Sequence, residues 1–78
     1  MDNNIEKRVK LVMTDILNIP EELINQDTVS SNTDGWDSGN HIQLIVALEE
    51  EFAISFDVTE FESMLSYVDI LKLVKAKV

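Results

Sequence analysis

In 78 residues the sequence has no cysteine, one proline, two glycines, one histidine and one tryptophan. Without cysteine there is neither a disulfide framework nor a thiolate metal site, so the core and the helix ends must supply the stability. Few helix breakers and 45% hydrophobic residues suit a packed helical fold, unlike a disordered or collagen-like composition. No apolar stretch approaches the length that spans a bilayer, and Met1-Asp2-Asn3-Asn4-Ile5-Glu6 lacks the basic start and apolar run of a signal peptide. A cytoplasmic location is the expectation. The length leaves room for one compact core, so residues 1–78 read as a single domain.

Basic residues are also scarce, and their layout matters more than the formal net charge of -9. Lys7, Arg8, Lys10, Lys72, Lys75 and Lys77 lie near the two termini, and none falls between Leu11 and Leu71. Nucleic acid and a bare acidic membrane surface are poor partners for such an anionic middle, because binding to either draws on clustered Lys and Arg. Basic protein surfaces remain, unless the acidic residues simply keep the protein soluble.

Asn3 or Asn4 is placed to cap a first helix, along which Ile5, Val9, Val12 and Ile16 recur at the spacing of one helix face, with Met13 and Leu17 widening the stripe. The helix is predicted to run to about Asn18, because Pro20 cannot continue it. From Ile19 to Asp37 the chain is polar and irregular apart from a turn at Pro20-Glu21-Glu22-Leu23-Ile24. Leu23, Ile24, Val29 and Trp36 are apolar anchors for this long segment, so an ordered loop is expected. A second helix should begin at Asp37 or Ser38 and end near Phe52. Ile42, Ile45, Val46, Leu48 and Phe52 share one arc of it, with Leu44 at the margin and Asn40, Gln43, Glu50 and Glu51 opposite.

After the link Ala53-Ile54-Ser55-Phe56, Asp57 with Glu60 caps a brief third helix carrying Val58, Phe61 and Met64. Ser66 with Asp69 repeats the device and opens a last helix through Val68, Leu71 and Val74, whose closing lysines complement the helix dipole. The expected fold class is all-α: a four-helix bundle with three longer helices, one short helix and a long loop between the first two.

Ser38 is the central candidate site. Serine and aspartate are favoured at helix caps, which is one reading of it. In the other, Asp37 takes the cap and leaves Ser38 exposed where free N–H groups and the macrodipole favour a phosphate diester on its oxygen. A hydrolase built on Ser38 and His41 would need an oriented base, an oxyanion site and a cavity, which a residue pair on an exposed helix start does not supply. His41 then lines the surface around the serine or sits half-buried on the packing face, and Trp36 either packs or helps to hold a ligand. Asn32, Asp34 and Gly35 are spaced like the middle of a calcium loop, but its end positions fall on Ser30 and His41, where carboxylates are required. No metal site is expected. Glu49, Glu50 and Glu51 are either a solvated helix end or an interaction surface, since glutamates in a closing turn oppose the dipole.

Asp37-Ser38, followed by Ile42, Leu44 and Ala47-Leu48-Glu49-Glu50-Glu51-Phe52 and then by Ile54, Asp57 and Glu60, resembles the acyl carrier protein family, which includes the carrier domains of fatty acid, polyketide and peptide assembly systems. The likeness spans nearly the whole chain. It implies a carrier and not a catalyst: Ser38 receives 4'-phosphopantetheine from coenzyme A through a phosphopantetheinyl transferase, and the thiol of that arm holds an acyl or related carboxylic acid as a thioester. Asp37 would help to position the serine. Trp36, Gly39, Asn40, His41, Gln43, Glu49 and Glu50 would face partners, with Glu49 and Glu50 meeting the basic surfaces of acyl-loading and acyl-transferring enzymes. A monomer is expected.

The sequence departs from the commonest family pattern at Gly39, where a leucine usually follows the serine, and at Asn40 and Gln43, where acidic residues are frequent. Trp36 with His41 looks more like specialised carriers serving secondary metabolites or surface polysaccharides. The alternative is a small acidic helical adaptor that binds a basic protein, with Ser38 only a helix cap.

Overall fold

Apolar periodicity and local caps shape the backbone of the computed structural model, which describes residues 2–78 and the side chains from Ile5 onward. Helix α1 spans Asp2–Leu17, α2 Ser38–Phe52, α3 Val58–Ser63 and α4 Tyr67–Lys77. Their lengths are 16, 15, 6 and 11 residues, so three are long and one short, as the pattern predicts. Asn3 and Asn4 lie inside α1, and the cap expected of their side chains falls outside the described residues. The helix ends where Asn18 turns into left-handed backbone at φ 58°.

Helix α1 packs against both α2 and α4. Val9, Met13 and Leu17 form its buried line, so two residues expected at the margin of the stripe are at its centre. They meet Leu44, Ile45 and Leu48 of α2 and Ile70 and Val74 of α4, with Ile24 and Met64 closing the core. Each fully buried side chain of this kind contributes roughly 1.5–3 kcal/mol relative to an exposed one.

The buried arc of α2 differs from the expected one. Leu44 is fully buried, whereas Ile42 and Val46 are 54% and 48% exposed. The cause is the six-residue α3, which holds no fully buried residue of its own and is too short to cover that side of α2. A shallow apolar groove results, in which Ile42 and Val46 face Phe56, Val58 and Phe61. Helix α4 is likewise rotated by about one residue: Tyr67, Ile70 and Val74 point inward, and Val68 points outward.

The long connection from α1 to α2 is ordered by two 3₁₀ turns, Glu21–Leu23 and Ser30–Asn32. Ile24 and Trp36 anchor it, but Leu23 is exposed. Thr28 is an anchor that the sequence pattern did not show. Its buried hydroxyl donates to the Leu23 carbonyl at 3.1 Å and accepts from the Asn25 N–H at 2.9 Å. The middle of the loop is stitched to the start of α4 by an isolated bridge between Val29 and Ser66. In it the Ser30 N–H donates to the Leu65 carbonyl at 2.8 Å and the Tyr67 N–H to the Thr28 carbonyl at 3.0 Å.

Candidate functional site

The start of α2 is capped by Asp37, whose Oδ1 accepts the Asn40 N–H at 2.8 Å from an extended backbone. Because the aspartate meets that need, Ser38 is the first helical residue and its side chain is exposed. The preceding turn is tightly held. Gly35 has φ 88°, and the Asn40 amide donates to its carbonyl at 2.6 Å. Asn40 is therefore half-buried and bound to its own loop, a correction to its placement on the outward side of the helix.

Trp36 and His41 also turn inward. Trp36 is 6% and His41 7% exposed, and the indole Nε1–H donates to His41 Nδ1 at 3.0 Å. Of the two placements expected of His41, it takes the one on the packing side of α2, where α3 brings Phe61 over it. Both rings are more than nine-tenths buried. Both form a wall of an open cleft of about 310 Å³ beside Ser38, completed by Ser30, Asp37 and Leu65. Ser30 and Leu65 carry no local sequence signal for this role, since the bridge at Val29 and Ser66 brings their two segments together.

Gly39, Gln43 and Glu50 are exposed along α2, in line with the outward face expected of them. Glu49 is half-buried, and its Oε2 accepts the Phe56 N–H at 2.8 Å, which fixes the link to α3. Glu51 accepts from Arg8 Nε at 2.7 Å, and the guanidinium covers the Phe52 ring at 4.4 Å. Of the three glutamates, Glu50 alone is thus given no internal task by these bonds. Glu60 accepts both the Asp57 N–H and Lys77 Nζ at 3.0 Å, and these hold its carboxyl below the ordinary glutamate value, the backbone bond contributing most.

The fold and the site together define a small all-α protein that offers the beginning of one acidic helix to its surroundings. No family model matches the chain. The acyl carrier protein of Buchnera aphidicola subsp. Acyrthosiphon pisum is 39% identical over 61 residues, 78% of this chain and 76% of the relative. That of Buchnera aphidicola subsp. Baizongia pistaciae is 32% identical over 72 residues, 92% of each. That of Akkermansia muciniphila is 28% identical over 74 residues, 95% of this chain and 92% of the relative. The chain belongs to the acyl carrier protein family and is a carrier, not an enzyme. No helix among the described residues is long and apolar enough to cross a membrane.

Proposed function

We propose that the chain carries an acyl or related carboxylic acid on a 4'-phosphopantetheine arm attached to Ser38. The observation that carries this reading is the division of labour at the start of α2, where Asp37 takes the cap and Ser38 stays exposed. The residues fit the group. An anion on Ser38 would lie at the positive end of a 15-residue helix, and the adjoining cleft is open to solvent. When bound, the arm supplies the thiol that this cysteine-free chain lacks, and through it the thioester. The protein supplies position: Asp37 and Asn40 fix the turn that bears the hydroxyl.

Partner enzymes, including a phosphopantetheinyl transferase and the enzymes that load and unload cargo, would dock on the exposed side of α2. Gly39, Gln43 and Glu50 lie there, with Ile42 and Val46 beside them and Glu49, Asp57 and Glu62 at the rim of the groove. A basic partner surface complements that rim. Trp36 and His41 would act on this face from behind, through the turn they hold.

Co-expression with a broad-range phosphopantetheinyl transferase followed by intact-mass measurement tests the assignment. The wild-type chain should gain one phosphopantetheine increment and Ser38→Ala none. A chain that gains nothing, or a Ser38→Ala variant that still gains it, overturns the reading.

A further inference from the structure

The chain's one tryptophan and one histidine are bonded to each other. Trp36 Nε1 lies 3.0 Å from His41 Nδ1, and the other ring nitrogen, Nε2, lies 2.9 Å from the carbonyl oxygen of Phe61. An indole nitrogen only donates and a carbonyl oxygen only accepts. Both bonds therefore exist together in one form of the ring alone, neutral, with the proton on Nε2. The Phe61 ring meets the imidazole edge-on at 4.7 Å between centroids, which encloses it further.

His41 thus joins three pieces of chain: the turn before Ser38, α2, and the second half of α3. Helix α3 is also held by Phe61, which is half-buried against the core. It buries no residue fully, and its other tie of this kind is the pair of Glu60 with Lys77.

We propose that His41 is the positioning residue of the Ser38 turn: as a neutral imidazole it clamps Trp36 and Phe61 to α2, and on taking a proton at Nδ1 it keeps its bond to Phe61 but releases Trp36 and with it the turn. A proton on Nδ1 would set two N–H donors against each other across a buried contact, forfeiting the hydrogen bond and leaving the indole N–H without its acceptor. The surrounding charges do not compensate. Asp37 borders the same cleft from the start of α2, but its Oδ1 is engaged by the Asn40 N–H. From α3, Glu60 and Glu62 flank Phe61, and Glu60 is held by Asp57 and by Lys77 of α4. The remaining cleft walls, Ser30 of the long loop and Leu65 before α4, carry no charge. Among the described residues no carboxylate bonds the ring, so a charged imidazole gains no ion pair in exchange.

The importance of the turn rests on the carrier reading, but the clamp itself exists in the unloaded chain and is tested there. Nitrogen-15 NMR of the full unloaded chain, taken between about pH 8 and pH 5 where histidines titrate, reads the ring tautomer and the backbone together. The expected result is an Nε2-protonated neutral ring at the upper end. As His41 takes its proton, the amides of Gly35 to Ser38 should shift with the same midpoint and their exchange protection should fall on the order of tenfold, while protection across α3 holds. Trp36→Phe keeps a ring but removes the donor, so the response of the turn to His41 protonation should shrink severalfold. His41→Gln, which accepts and donates without titrating, should leave the turn ordered and indifferent to pH over the same range.

An Nδ1-protonated neutral ring, a turn that ignores the titration of His41, or a Trp36→Phe chain that responds like wild type would each overturn the proposal. Should His41→Gln not fold, the Trp36→Phe comparison decides alone. A chain whose turn follows His41 but whose Ser38 is never loaded refutes the carrier reading and leaves the clamp standing.

Discussion

Gly35 packs directly on the carbonyl of Leu17: a Cβ at position 35 would lie 2.8 Å from that oxygen, and the glycine's φ of 88° is one that side chains rarely adopt. The contact ties the end of α1 to the turn that presents Asp37 and Ser38. Gly35→Ala combines left-handed strain with a backbone clash, so a loss of about 1–3 kcal/mol is expected in urea unfolding. Unchanged stability would mean that the turn does not lean on α1 as described.

Gly39 is the opposite case. Its φ lies outside the left-handed range, and a Cβ there would stand 3.6 Å from Asp37 Oδ1, an ordinary contact. Gly39→Ala removes backbone freedom from the first turn of α2 and should stabilise the chain by roughly 0.5–1 kcal/mol. A thermal melt shows the sign, and a lower midpoint than wild type would refute it.

The lowered carboxyl of Glu60 makes stability depend on pH in a defined direction. Its folded value lies below its unfolded one, so its contribution is present above the ordinary glutamate value, about 4.3, and is lost as pH falls through the folded value. Denaturant midpoints should therefore drop on acidification below about pH 4.3, and drop less in Glu60→Gln. Equal acid sensitivity of the two chains would exclude the bonds to Asp57 and Lys77 as the cause.

The absence of any Lys or Arg between Leu11 and Leu71 leaves like charges crowded on the middle of the chain. Screening by salt shortens the reach of that repulsion to about 10 Å at 0.1 M. The melting temperature is expected to rise with added sodium chloride, and further with Mg²⁺. A melting curve indifferent to salt would show that the four ion pairs among the described residues already offset the repulsion.

Helix caps were legible because they act over three residues of chain. Asp37 over Asn40, Asp57 with Glu60 and Ser66 over Asp69 all appear where the residue types place them. Helix faces were less legible, because the burying neighbour is chosen by the tertiary fold. Leu44 displaced Ile42 and Val46 from the core once α3 proved too short to cover them, and Tyr67 and Ile70 displaced Val68 in α4. At the site, Asp37, Ser38 and Gly39 stand as their local chemistry dictates. The inward turn of Trp36 and His41 depends on the carbonyl of Phe61, twenty residues away, which no local pattern announces.

The pairing of Val29 with Ser66 divides a long connection into two short spans with separate fates. Only the downstream span, from Ser30 to Asp37, sets where the serine hangs. Extra residues spliced in upstream at Gln26 and Asp27 would open the turn that the Asn25 and Thr28 bonds close, while the Ser30 bond to Leu65 still fixes the start of the downstream span. A tag fused there would strain the upstream span before it reached the serine.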